Sequence, residues 1–356
     1  MDRRAILSAG AAALVHAANG RAVLAQPGLS ALPLPDRAPR KIGFCSCIDQ
    51  TKPQPIWGAI SADQPDLFIF GGDNVYSSAQ PWQLESLQRA YAQLDASAGF
   101  SQFRRSVPSL AIWDDNDYGS NDGGAEFSHK QASKDAFLAF WRLAADDPRR
   151  SREGLYHAVK MGPVGQQVQI VLLDSRWFRS SLRRTDQRNA PGKERYLPDP
   201  DGAKTMLGET QWRWLKDQLE QPADMRLIVS GVQILAEGHG WESWGNLPLE
   251  RKRLVDLIGA TRAKGVVLLS GDRHIGAFYR HERPGSYALT EMTSSGMTHA
   301  WAEASEPGPN RLGDLVTQNH YATVELDWVA RRVVLSIKDV QGRVRRKQEI
   351  ALSDLA

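Results

Sequence analysis

Residues 65–76 read Pro-Asp-Leu-Phe-Ile-Phe-Gly-Gly-Asp-Asn-Val-Tyr. The run Asp66–Phe70 is short, apolar and bounded by Pro and Gly, which predicts a buried strand rather than a helix. The chain then turns at Gly71-Gly72 and presents Asp73, Asn74 and Tyr76. The same pattern recurs outward from it. Lys41–Cys45 is followed by Ser46, Cys47 and Asp49, and Leu110–Trp113 by Asp114, Asp115, Asn116 and Asp117. Gln167–Leu173 is followed by Asp174 and Arg176, and Gly265–Leu269 by Ser270, Gly271, Asp272, Arg273 and His274. Ligands of open α/β sheets bind at the carboxyl ends of strands. Five strand ends here carry carboxylates, a thiol, a phenol and an imidazole, and so many anions gathered together require a cation among them.

Arg226–Val229 is a sixth strand candidate. Helical patterns at Pro81–Ala96, Lys130–Leu143, Glu209–Gln221 and Leu249–Ala263 alternate with the strands, as in an α/β domain whose sheets are covered by helices. Tyr321–Leu326 and Arg332–Lys338 read as a final antiparallel pair, with a turn at Val340–Arg343. Residues 176–208 are polar and rich in Arg, Asp and Pro, and are expected to form a surface insertion, a candidate lid. Nothing divides residues 41–356, which are expected to form a single domain. Residues 26–40 read as a linker. Residues 1–25 have a charged start, an apolar middle and small residues at Val23 and Ala25, the pattern of a cleaved signal peptide. Arg3-Arg4 gives it a twin-arginine-like character, which predicts passage through export machinery to a periplasmic or secreted location; an ordinary secretory signal with two chance arginines is the alternative.

Composition narrows the remaining choices. The 356 residues include 44 Lys+Arg against 41 Asp+Glu, a net charge of +3 that falls to about +1 without residues 1–25. No nucleic-acid platform is evident from that balance. Two Cys exclude a disulfide framework and a Cys₄ zinc site, and no two of the eight His lie four residues apart. No run after the leader is long and apolar enough to span a membrane, so an integral membrane segment in the mature chain is not expected. Taken singly, each polar strand end has a plain reading: Gly-Asp as a capped turn, Cys47 as a small buried side chain, Tyr76 as packing. Five together point to a metal centre.

The chain resembles the alkaline phosphatase D (PhoD-like) family of metallophosphoesterases. The motifs that carry this are Phe44–Cys47, Pro65–Tyr76, Ala111–Gly119 with Asn121-Asp122, Leu173–Arg179, Met206–Trp212, His239–Asn246, Ser270–His274 and Glu291–Gly296, in one order over roughly residues 41–340. The family's amino-terminal strand-rich domain is not seen in the sequence. The resemblance implies a four-layer α/β/β/α sandwich of the purple acid phosphatase type, with a metal cluster at the strand ends. It implies that Cys47, Tyr76 and His274 bind one metal, that Asp73 bridges, and that Asp115 and Asp272 face the second. Two or more ions are implied, Fe³⁺ with Ca²⁺ by family and ligand type, with Mn²⁺, Mg²⁺ and Zn²⁺ open. They would activate a hydroxide for in-line displacement at phosphorus. Asn74, Trp241 and Glu242 are expected to contact substrate, and Arg176 to fork onto phosphate oxygens unless it forms a surface ion pair with Asp174 or Asp186.

Departures from the family pattern shape the functional reading. Asn116 stands where the family usually has His, and Asn cannot deliver a proton at neutral pH. His239 is expected to take over in part; otherwise Asn116 only positions phosphate. The strand that carries a His ligand in related phosphatases has none near Ser230–Gln233. Cys45 shares a strand face with Cys47, so either both thiols approach one metal or Cys45 is merely buried. Trp57, Trp113, Trp177, Trp241 and Trp244 either line the site or pack in the core. The expected function is a secreted metal-dependent phosphoric ester hydrolase acting on small-molecule or lipid-like mono-, di- or triesters. The alternative is a non-catalytic phosphate- or metal-binding descendant.

Overall fold

The computed structural model describes residues 32–77, 81–306 and 308–356. The predicted leader lies outside them, as do residues 26–31 of the predicted linker. The strands in chain order are β1 (Lys41–Cys45), β2 (Leu67–Gly71), β3 (Ser109–Ile112), β4 (His157–Met161), β5 (Val168–Leu172), β6 (Met225–Ser230), β7 (Val266–Ser270), β8 (Gly276–His281), β9 (Leu289–Ser294), β10 (His320–Asp327), β11 (Arg332–Asp339) and β12 (Val344–Ala351). The helices are α1 (Ile56–Ala62), α2 (Leu84–Ala96), α3 (Ala98–Ser106), α4 (Asp115–Tyr118), α5 (Lys130–Phe140), α6 (Gly208–Leu219) and α7 (Pro248–Ala260).

The strands form two six-stranded sheets, ordered β12-β11-β10-β1-β2-β3 and β4-β5-β6-β7-β9-β8. β1, β2 and β3 run parallel in the first sheet, and β5, β6, β7 and β9 in the second. Parallel strands buried on both faces need apolar residues at every position, which is why these runs are continuous rather than alternating. The alternation appears instead in what each side chain packs against. In the second sheet Ile170, Leu172, Leu227, Val229, Val267 and Leu269 join Ile42, Phe44, Leu335 and Ile337 of the first in one core between the sheets. Their neighbours Val171, Ile228, Val266 and Leu268 pack under Trp212, Leu215 and Leu219 of α6 and Leu254 and Ile258 of α7. On the far side of the first sheet, Phe68 and Phe70 meet Trp57 of α1 and Phe100 and Phe103 of α3. The result is the expected four-layer α/β/β/α sandwich.

Several expectations need correction. The pair β10–β11 is not the last, because the turn at Val340–Arg343 leads into β12, which adds an antiparallel edge. Part of the predicted linker is docked: Ala38 is buried, Arg37 pairs with Asp66, and the Arg40 amide donates to Asp66 at 2.6 Å. Residues 176–208 are buried at both ends, since Arg176, Trp177, Arg179, Met206 and Leu207 are core residues. Only the middle of that segment lies over the surface. The tryptophans divide in the same way: Trp57, Trp113, Trp177 and Trp244 are buried core, and Trp241 is half-buried. Among the described residues no helix is long and apolar enough to cross a membrane.

His320 on β10 is fully buried, its Nδ1 2.8 Å from the Gln318 carbonyl and its Nε2 without a hydrogen-bond partner. Burial lowers its pKa to about 4. As the pH falls from about 6.5, the unfolded chain takes up the proton first, so stability drops until about pH 4, by ~3 kcal/mol. His320→Leu, which cannot titrate, is expected to remove that part of the pH dependence of chemical denaturation. An unchanged slope between pH 6.5 and 4 would assign the effect elsewhere.

Candidate metal centre

The polar loops that follow β1, β2, β3 and β7 meet between the sheets. Cys47, Asp73 and His274 bring a sulfur, an oxygen and a ring nitrogen within 4.8 Å of one another. Asp73, Asp114, Asp115 and Asp272 do the same with four carboxylates, and Asp115, Asp122 and Glu242 form a third group. Asp73 belongs to the first and second groups and Asp115 to the second and third, so the three groups form a continuous chain. The Tyr76 hydroxyl lies 3.1 Å from Asp73 Oδ2 and 3.1 Å from His274 Nε2, which adds it to the first group.

The backbone is bent to achieve this. Cys47, Asp73, Asp272 and His274 all have left-handed φ, at 65°, 49°, 68° and 54°. Non-glycine residues rarely adopt it, and such strain collects at functional sites. Gly72 lets two of these loops touch: a Cβ there would lie 2.5 Å from Asp114 Cβ, and its φ of +107° is itself left-handed. Gly231 after β6 is equally tight, since a Cβ there would overlap the Asp114 carboxylate.

Burial and mutual repulsion dominate the electrostatics. Desolvation, then Asp115, pushes the Asp73 carboxyl far above its usual range, and Asp272 is raised by burial and Asp114. Burial raises Asp114 to about 8 even beside Arg176, and Asp122 to about 7. Burial and the Asp73 charge push up the Cys47 thiol and the Tyr76 phenol, while burial lowers His274 to about 3. An imidazole gathered with thiol, phenol and carboxyl groups is the donor set a metal ion requires. Asp114 Oδ2, buried and without a hydrogen-bond partner, is one acceptor left over for it. The residues present therefore fit a metal cluster.

All six expected ligands come together: Cys47, Asp73, Tyr76, Asp115, Asp272 and His274. The other expected site residues are placed differently. Asn116 donates through its backbone N to Asp73 Oδ1 at 3.0 Å, and through Nδ2 to Asp73 Oδ2 at 3.0 Å and Asp115 Oδ1 at 2.9 Å. It braces the two carboxylates while remaining half-exposed. Asn74 is fully buried and donates to the Ile112 carbonyl and Asp117, so it does not meet substrate. Arg176 is neither a phosphate fork nor a surface ion pair. It is fully buried, with Nε 2.7 Å from Asp114 Oδ1 and Nη1 2.7 Å from Glu242 Oε1. Glu242, also paired with Arg179 at 3.0 Å, is likewise interior and lies in the third acidic group.

His239 has both ring nitrogens occupied. Nε2 is 3.0 Å from Gln233 Oε1, and Nδ1 accepts from the Trp241 amide at 3.2 Å. Burial lowers its pKa, and both ring nitrogens are engaged by neighbours rather than turned toward the metal cluster. In the Ser230–Gln233 region Gln233 holds His239, and Ser230 accepts from Trp244 Nε1 at 3.0 Å. Cys45 points away from the cluster toward Ser294 and the His320 carbonyl, and burial raises its thiol to about 12. Asp114, Asp122 and Tyr196 were not singled out as site residues from the sequence. The Tyr196 hydroxyl, from the 176–208 segment, donates to Asp122 Oδ2 at 2.8 Å. The adjacent carboxylates of residues 114–117 were the available signal for Asp114.

Comparison with known proteins agrees with this fold. Alkaline phosphatase D of Bacillus subtilis (strain 168) is 23% identical over 231 residues, which is 59% of this chain and 39% of that protein. The chain thus spans about two-fifths of that relative's length. A solved structure of PhoD superposes with a TM-score of 0.70 at 16% identity, covering 90% of this chain and 70% of the other. A purple acid phosphatase from yellow lupin seeds gives a TM-score of 0.61 at 10% identity, covering 91% and 56%. GAP50, described as the anchor in the inner membrane complex of Plasmodium, gives 0.56 at 13% identity, covering 88% and 89%. A sequence profile of the PhoD-like phosphatases matches residues 42–326, most of the chain and all of the strand ends described above, and the chain belongs to that family.

Proposed function

We propose that the protein is a metal-dependent phosphoric ester hydrolase, exported by way of its leader, that acts on phosphate mono- or diesters. The observation that carries this reading is the set Cys47, Asp73, Tyr76, Asp115, Asp272 and His274, joined through Asp73. The fold alone does not decide the matter, since it also serves GAP50, which is described as an anchor. A descendant that had lost metal binding would have no need of four strained ligand positions. Two or more ions held here, an Fe³⁺-type ion on Cys47, Tyr76 and His274 and a Ca²⁺-type ion on the carboxylates, would supply Lewis acidity toward water and the phosphoryl oxygens.

The chain's own residues then do two things. Asn116 fixes Asp73 and Asp115 against each other. The pair Arg176 and Arg179 neutralises Glu242 and holds the third acidic group from behind. We take neither Asn116 nor the occupied His239 to protonate the leaving group. Esters with good leaving groups are therefore preferred. The test is hydrolysis of 4-nitrophenyl phosphate and bis(4-nitrophenyl) phosphate by the metal-loaded chain, with and without a chelator. The expected result is hydrolysis of at least one ester, lost on chelation, and a much lower rate on alkyl esters. Equal rates on aryl and alkyl esters would show that a proton donor is present. No hydrolysis of any ester by metal-loaded protein would favour the non-catalytic reading.

A further inference from the structure

Beside the metal centre stands a composite wall of two indoles and two guanidiniums. Arg273, between Asp272 and His274, lies 4.6 Å over the Trp241 ring and 5.7 Å over Trp301. Trp241 and Trp301 meet edge to face at 5.6 Å. Arg195, from the 176–208 segment, adds a second guanidinium 4.6 Å from the Trp241 ring. The wall is tied to the centre on both sides. The Trp301 amide donates to the His274 carbonyl at 2.8 Å, and Trp241 precedes Glu242 of the third acidic group. The segment is clamped in place, since Arg195 and Tyr196 amides donate to the Gly240 carbonyl at 2.9 and 2.7 Å. Trp241, Trp301 and Arg195 are all half-exposed. Arg273 is ion-paired with Glu306, whereas Arg195 has no carboxylate partner among the described residues and bonds only Asn189 and the Glu194 carbonyl.

We propose that this wall is a subsite for the organic group of the ester, and that it selects a planar aromatic group over an aliphatic one. The proposal rests on the phosphoester-hydrolase reading above and names its substrate class. Guanidinium planes and indole edges present positive potential, which attracts the negative face of a π system. An acyl chain or other aliphatic group would gain contact area but would desolvate Arg195 with nothing in return. The lipid-like substrates expected from the tryptophan content fit the wall poorly. The 176–208 segment thus acts as a specificity element by carrying Arg195 onto Trp241.

Binding of phosphonates, which are not hydrolysed, tests this apart from catalysis. The metal-loaded full chain is titrated calorimetrically with phenyl-, cyclohexyl- and methylphosphonate. Phenylphosphonate is expected to bind about tenfold tighter than either of the others. Arg195→Gln and Trp241→Leu should each bring the three affinities to within about twofold, as should Arg195→Lys, which keeps the charge and loses the plane. Phenyl and cyclohexyl groups bound equally, a preference that survives all three variants, or no phosphonate binding would overturn the proposal. If the phenyl preference is present but 4-nitrophenyl phosphate is not hydrolysed, the subsite stands and only the hydrolase reading fails.

Discussion

Asp73→Asn is expected to lower phosphoester hydrolysis at least ~10³-fold, about 4 kcal/mol in transition-state stabilisation, while leaving the fold intact. Asp73 is the residue shared by the thiol–phenol–imidazole group and the carboxylate group, so its loss separates the two. Burial and Asp115 push its carboxyl well above the usual carboxylate range when no cation is near, so a neutral amide of the same shape is a mild change in the metal-free protein. The amide places one NH₂ where Asp73 now accepts from Asn116 and Tyr76, a cost of about 1 kcal/mol. The thermal midpoint of metal-free protein should therefore change little. The rise in midpoint that metal gives the wild type should be absent from the variant. A variant with wild-type kcat and a wild-type response to metal would remove Asp73 from the bridging position.

Arg176→Met is expected to destabilise the protein by 3–5 kcal/mol, roughly the effect of breaking a buried ion pair from one side. The substitution leaves Asp114 and Glu242 facing each other, both interior, with Arg179 as the remaining cation. Arg176→Lys should recover little, because one ammonium cannot reach Asp114, Glu242 and the Gly123 carbonyl as the planar fork does. Denaturant midpoints with unchanged m-values give the measurement. The alternative role, a phosphate contact, predicts the opposite division: a loss below about 1 kcal/mol in stability with a large fall in kcat/KM.

The strands that bear the site were legible because burial on both faces makes them continuous apolar runs ended by glycine or polar residues. Lys41–Cys45 matches β1 in full for this reason. β9 was not legible: its interior carries Glu291, which accepts from the Ile234 and Leu235 amides and so sits in the core as a charged residue. β12 was hidden by its basic alternation, Val344-Arg-Arg-Lys, which belongs to an exposed edge. In the site, residue types at strand ends predicted which groups would meet, since topology alone brings those ends together. What each group faces depends on distances no spacing encodes. Arg176 and Glu242 lie 66 positions apart and neutralise each other in the interior, and His239 turns onto Gln233. The residue type is right in each case for the expected role, and the partner removes it from that role.

Element-resolved metal analysis of the folded full chain, purified without chelators, tests the central claim most directly when wild type and Asp73→Asn are compared. The account predicts at least two ions per wild-type chain and a loss of one or more in the variant. Equal metal content in the two proteins, or wild-type protein that hydrolyses phosphate esters with no metal bound, would contradict it.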